Sequence, residues 1–282
     1  MQLYKALGLR TAKRGDVGIE IEVEASHELP FIDNKTWISK DDGSLRGYSR
    51  EYVSNGAIKI EEVEASVTEL YKNISGATLI KSARTSTHVH VNCLNLTQKE
   101  IVTAIAYNWM IEDFLFDKVS YQRRNSRFCQ SSTIAARQVS ILENLVKDFS
   151  TKFSVSEDMT KYAAIAYHNL CRLGTLEFRL KEGLVEAAPV IKWTNLCHDL
   201  VHETVKRWSD PSVMLEDVLD NPDKVFDHVA KHNFHYDEAK LEEGILRISS
   251  LAYAADWEEW QKTIDEKKVI KQIPVYFDEV VQ

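Results

Sequence analysis

Residues 15–26, GDVGIEIEVEAS, alternate strictly, with Ile19, Ile21 and Val23 interleaved between Glu20, Glu22 and Glu24. A period of two is that of a half-buried strand, so the spacing predicts a strand over 17–25 with apolar residues on one face and a row of carboxylates on the other. The alternation recurs in TSTHVHVNC, where Val89 and Val91 separate His88 and His90, and in GTLEFRL, where Leu176, Phe178 and Leu180 separate Glu177 and Arg179. Strands are therefore expected over 86–93 and 175–180. Two shorter ones are expected near 36–40 and over 50–54, with a turn at DDGS between them.

Between the strands the period changes to that of a helix. One helix is expected over about 60–74. Thr97, with Glu100 three residues on, reads as a capping box that opens a long helix through QKEIVTAIAYNWMIEDFLFDKV. Further helices are expected over 133–149 and 160–171, the second stopped by Gly174. Beyond about residue 185 the chain reads as mostly helical, punctuated by Pro211, Pro222 and Pro274. The fold class this predicts is α+β, a mostly antiparallel sheet with helices over one face.

Composition narrows the function. The 282 residues carry a net charge of -8 and are 44% hydrophobic, which suits a soluble globular protein and disfavours nucleic acid or an anionic membrane as partner. The opening residues lack the apolar run of a signal peptide, and no stretch approaches the roughly 18 apolar residues of a membrane span, so a cytoplasmic location is expected. Cys93, Cys129, Cys171 and Cys197 stand far apart with no C-x-x-C pair, a pattern of reduced thiols. The GATLIKS stretch lacks the second glycine and the Gly-Lys-Ser ending of a P-loop.

Candidate chemistry lies on the polar faces of the strands. Residues two apart on a strand are roughly 6.5 to 7 Å apart and point the same way, so Glu20 and Glu22 are suited to hold one each of two divalent ions spaced about 3.5 to 4 Å. A solvated acidic face is the plain alternative. His88 and His90 read equally as metal ligands, phosphate donors or surface histidines, and the glutamate that a cupin site would place four or five residues later is Leu94 or Asn95. Glu177 and Arg179 are either a same-strand ion pair or a metal ligand beside an anion clamp. Glu51 brings a further carboxylate from a neighbouring strand. Arg123, Arg124 and Arg127 in YQRRNSRFCQ are either a solvated loop or a clamp on phosphates.

Taken in chain order, GIEIE, WISKDDGSL with EYVS, HVHV, RRNSRFC, and GTLEFRL followed by Trp193 resemble the amidoligases of amidoligase family 2. That family belongs to the carboxylate-amine ligase superfamily, with glutamine synthetase and glutamate-cysteine ligase. The resemblance covers about residues 15–200. It implies a glutamine-synthetase-like catalytic domain whose curved, mostly antiparallel sheet has helices packed on its convex face and binds ATP with Mg²⁺ or Mn²⁺ on the concave one. Residues 1–206 would form this core and 207–282 a helical C-terminal extension packed on it, with Tyr236, Trp257 and Trp260 either at that contact or on a surface for a partner.

Carried over residue by residue, the resemblance gives Glu20, His88 and Glu177 to a metal beside the ATP phosphates, and Glu22 and Glu51 to a metal nearer the acyl substrate. His90, Arg124 and Arg127 would contact phosphate oxygens, and Arg179 the substrate or the transferring phosphoryl group. Lys161 stands where the family pattern R-Y-x-A-x-N has arginine, and the asparagine is displaced to Asn169. The expected activity is ATP-dependent amide or isopeptide bond formation through an acyl phosphate, between a carboxylate substrate (amino acid, peptide or protein) and an amine acceptor. Oligomers are common among such enzymes. Two other readings of the same cavity are a divalent-metal-dependent hydrolase and a noncatalytic nucleotide- or peptide-binding relative.

Overall fold

The alternating segments become strands of one sheet in the computed structural model, which describes residues 1–12, 15–124, 126–131, 138–147 and 162–267. The strands are β1 (Val17–Ala25), β2 (Trp37–Lys40), β3 (Tyr48–Ser54), β4 (Leu79–Ile80), β5 (Ser86–Asn92), β6 (Ile165–Ala166) and β7 (Thr175–Glu182). Their order is β2-β3-β1-β5-β7-β6, with β4 pairing to the end of β1, and every one of these pairings is antiparallel. The helices are α1 (Leu3–Ala6), α2 (Val63–Asn73), α3 (Gln98–Met110), α4 (Glu112–Phe116), α5 (Tyr121–Arg124), α6 (Gln138–Lys147), α7 (Ala187–Arg207), α8 (Pro211–Asp220), α9 (Glu238–Ala254) and α10 (Glu258–Lys267). None of them is long and apolar enough to cross a membrane.

Val17, Ile19 and Ile21 on β1, Val89 and Val91 on β5, and Leu176 and Phe178 on β7 are fully buried. Helix α7 packs over β1 and β5 and lies against α2 and α3. Burying each such side chain contributes roughly 1.5–3 kcal/mol, and a one-residue slip of β1 would drive its glutamates into the core, so the register is strongly fixed. The helices after residue 207 pack on α3 and on each other, with Trp257 and Trp260 buried and Tyr236 partly so.

Several expected elements change. The capping box is present: the Thr97 hydroxyl accepts from Glu100 N–H while the Glu100 carboxylate accepts from Thr97 N–H. The long helix it opens is interrupted at Ile111, whose φ of -96° and ψ of 11° are not helical, giving α3 and α4. Only Gln138–Lys147 of the 133–149 helix is described. The helix expected over 160–171 is overturned where it is described, because Ile165 and Ala166 pair with Phe178 and Glu177, and a single 3-10 turn, His168–Leu170, follows. The Asn169 carbonyl then accepts from both Leu173 and Gly174 N–H, closing the turn into β7. Lys161 lies outside the described residues.

Candidate active site

Cross-strand register brings the predicted residues together. Glu22 lies opposite Glu51, Glu20 opposite His88, and His90 opposite Glu177. Between the pairs Val89–Phe178 and Thr87–Lys181, β7 carries one residue more than β5. Such a bulge re-aims the side chains around it. Arg179 thereby stays beside Glu177, donating to its Oε1, whereas Lys181 faces the helical side, with Nζ 5.6 Å from the centre of the Trp193 ring.

Two groups of donors result. In the first, Glu20, His88 and Glu177 each offer a ligand atom, all within 4.8 Å of one another, and in the second Glu22, Asp42 and Glu51 do the same. His88 Nδ1 is 3.1 Å from Glu20 Oε2 and 3.6 Å from Glu177 Oε1. Asn169 Nδ2 donates to Glu177 Oε2 at 2.8 Å, so the displaced asparagine orients that carboxylate.

Ser86 Oγ bridges the groups, 2.6 Å from Glu22 Oε2 and 2.7 Å from His88 Nε2. A hydroxyl has one proton. Given to the carboxylate, it obliges His88 to donate from Nε2, which leaves the Nδ1 lone pair facing two carboxylates. That arrangement calls for a cation between them, supplied by a second proton on the ring or by a bound metal ion. His90 points the same way: its Nδ1 meets Thr175 Oγ1 at 3.2 Å, while the buried Nε2 lies 3.3 Å from Glu20 Oε1 without forming a hydrogen bond. The donor sets therefore fit divalent cations, the all-oxygen group suiting Mg²⁺ and the histidine-containing one Mn²⁺ better.

Charge is unevenly settled across the cluster. Burial alone would raise the pKa of Glu20, but the His88 and His90 rings beside it outweigh burial and hold the carboxyl far below its usual range. Glu177 is likewise held low, against its burial, by His90 and Arg179. Among the described residues Glu51 has no such partner. Burial, reinforced by the charges of Glu20 and Glu22, pushes it up to about 7.

The loop arginines divide differently from the sequence reading. Arg124 pairs with Asp117 at 3.3 Å, and Arg127 is exposed, over the Phe128 ring. Neither touches the carboxylates and histidines of the cluster. Arg123 is the buried one, and its guanidinium donates to the Arg179 carbonyl, bracing the bulge. Asp42 and Ser86 are not among the site residues expected from sequence, and Arg123 is expected only as one of three arginines of a phosphate clamp. Ser86 has a legible signal, since it shares the parity of His88 and His90, whereas Asp42 reads as a turn former and accepts from Ser44 N–H as one.

The model of the family described as "Putative amidoligase enzyme" matches residues 51–201, more than half of the chain. The chain belongs to the amidoligase family. No curated protein matches it significantly. The matched segment of this amidoligase holds Glu51, His88, His90, Asn169, Glu177 and Arg179. β1, which precedes it, adds Glu20 and Glu22 through its pairing with β3 and β5. Next to Glu20 and His90 lies a cavity of about 440 Å³ with Gly18, Val53 and Leu173 in its walls. A larger one, about 820 Å³, lies elsewhere and contains none of the cluster. The converging carboxylates and histidines, not cavity size, mark this cluster as the candidate site of the amidoligase.

Proposed function

We propose that the chain is an ATP-dependent carboxylate-amine ligase, forming an amide or isopeptide bond through an acyl phosphate. The observation that carries this reading is the pair of donor groups, Glu20–His88–Glu177 and Glu22–Asp42–Glu51, meeting on neighbouring strands and the β2–β3 turn of an amidoligase-family chain with Arg179 at their side.

A carboxylate and an ammonium do not condense in water. Transfer of the γ-phosphoryl group of ATP to the carboxylate releases ADP and gives an acyl phosphate, and attack of a neutral amine on the acyl carbon then expels phosphate. Divalent ions, Mg²⁺ or Mn²⁺, supply neutralisation of the triphosphate and polarisation of the phosphoryl oxygens when bound. Glu20, His88 and Glu177 would hold one and Glu22, Asp42 and Glu51 another. Arg179 keeps its buried Nε without a hydrogen-bond partner among the described residues, leaving a donor for an anionic substrate group or the transferring phosphoryl oxygens. His90 Nε2 offers a second such contact. Asn169 and Ser86 hold Glu177, Glu22 and His88 in place. The cavity of about 440 Å³ beside Glu20 has the apolar walls and the volume for a nucleobase.

The test is ATP turnover to ADP and phosphate with Mg²⁺ or Mn²⁺ against pooled amino acids, peptides and amines. ADP formation that requires an amine, and that disappears in Glu22→Gln and Arg179→Ala, is the expected result. Metal-dependent hydrolysis indifferent to nucleotide would replace this reading with a hydrolase.

A further inference from the structure

Across the sheet from the carboxylates, α7, the 3-10 segment Asp227–His232 and the end of β7 enclose the cavity of about 820 Å³. Lys118, Lys181, Lys192 and Lys231 line it, against two carboxylates, Asp199 and Glu61. In a chain of net charge -8 this is a local reversal of sign. We propose that this cavity is a second ligand site, independent of the candidate active centre, that binds a small multivalent oxyanion bearing phosphate or carboxylate groups.

The two carboxylates do not cancel the lysines. Asp199 is spent on three donors at once: His232 Nε2 at 2.6 Å, Lys231 Nζ at 2.7 Å and His198 Nδ1 at 3.3 Å. Glu61, with a side chain 67% exposed, lies 3.9 Å from Lys59. Lys181 has Glu182 at 3.1 Å and the Lys118 carbonyl at 2.7 Å.

That leaves two ammonium groups without a counter-ion among the described residues. Lys118 is half-buried and held by two neutral acceptors, the carbonyls of His232 at 3.0 Å and Asn233 at 3.2 Å. Burial presses its pKa down, the nearby charge of Asp117 offsets part of that, and Lys181 presses it down further, so an anion beside it would relieve a cost the fold now carries. Lys192 is exposed, one residue before Trp193, and forms no ion pair. A cleft with walls of low dielectric strengthens the attraction of such unmatched charges for an anion. Lysines are point donors without the planar fork of arginine, so they suit a ligand with several acidic groups more than a single bidentate one.

Calorimetric titration of the full chain with pyrophosphate and, separately, with citrate tests this. Protein and buffers are first passed over a chelating resin, so that no divalent metal is present and metal-dependent nucleotide binding stays silent. Saturable binding of one anion per chain is expected, weakened about tenfold by Lys192→Gln and further by adding Lys118→Gln, each lost contact of this kind being worth about 1.4 kcal/mol. Glu22→Gln should leave it unchanged. The tighter anion tells whether phosphate or carboxylate groups are preferred. Absence of binding by both, or binding that survives Lys192→Gln but is lost in Arg179→Ala, would overturn the proposal.

Discussion

At Glu51, burial in the sheet and the negative charges of Glu20 and Glu22 act in the same direction, raising the pKa from an ordinary 4.5 to about 7. Between those two values the folded, metal-free chain holds a proton that the unfolded chain has released. Its stability contribution is therefore full below about pH 4.5 and is lost as pH rises through 7. His202 and His228, which burial holds down to about 4, act oppositely, because the unfolded chain takes up their protons first as pH falls. The two effects overlap, so the informative quantity is a difference. With EDTA present, Glu51→Gln should gain stability relative to the wild type between pH 5 and 7, by on the order of 1–3 kcal/mol in urea unfolding. An unchanged difference across that range would show that Glu51 is already ionised. Mg²⁺ binding at the Glu22–Asp42–Glu51 group should release this same proton, so affinity for Mg²⁺ should climb over the same window.

Elements depend on close approaches that a hydrophobic pattern does not record. Gly244, inside α9, lies so near α3 that a Cβ built on it would come within 1.8 Å of the Met110 carbonyl oxygen and 2.7 Å of its carbon. Backbone cannot yield as the end of a flexible side chain does. Gly244→Ala should therefore cost about 1–3 kcal/mol or more, despite the better helix propensity of alanine, and the check is the urea midpoint of the purified variant. Equal or higher stability would mean that the two helices are not packed this closely. The contact also lies one residue before Ile111, where α3 stops. Strands 17–25 and 175–180 were legible because alternation survives any tertiary environment, and the capping box because it is local. The segment 160–171 misled because its helical pattern lost to pairing of Ile165 and Ala166 with β7, a long-range contact that no local pattern announces.

Over the whole molecule, a buried ion pair ties the C-terminal helices to the sheet-bearing part. Arg247 on α9 donates to the Trp109 carbonyl at 3.0 Å and to Asp113 Oδ2 at 2.5 Å, and lies 3.7 Å from Glu112 Oε2. Glu112 is fully buried. Removing Arg247 takes away the positive charge that faces Glu112 and Asp113 in a poorly polarisable interior, so Arg247→Ala should destabilise the fold by about 3–5 kcal/mol. Glu112→Gln combined with Arg247→Ala should recover part of that loss, as measured by a double-mutant cycle in thermal or urea unfolding. A cost below the normal range for a surface residue, about 0.5 kcal/mol, would mean that the helices dock without this pair.

The sequence by itself determined which side chains share a face, since a strand of period two admits one placement once its apolar face is buried. Glu20 with Glu22, His88 with His90 and Glu177 with Arg179 follow from that alone, and so does the α+β class. Which strands are neighbours, and in what register, was decided by the tertiary structure. Only that pairing sets Glu22 against Glu51 and His90 against Glu177, draws Asp42 from a turn into a carboxylate group, and inserts the bulge that turns Lys181 to the opposite side while Arg179 stays with the cluster. Periodicity records the environment of a residue along its own strand, whereas a site is made by what lies across from it.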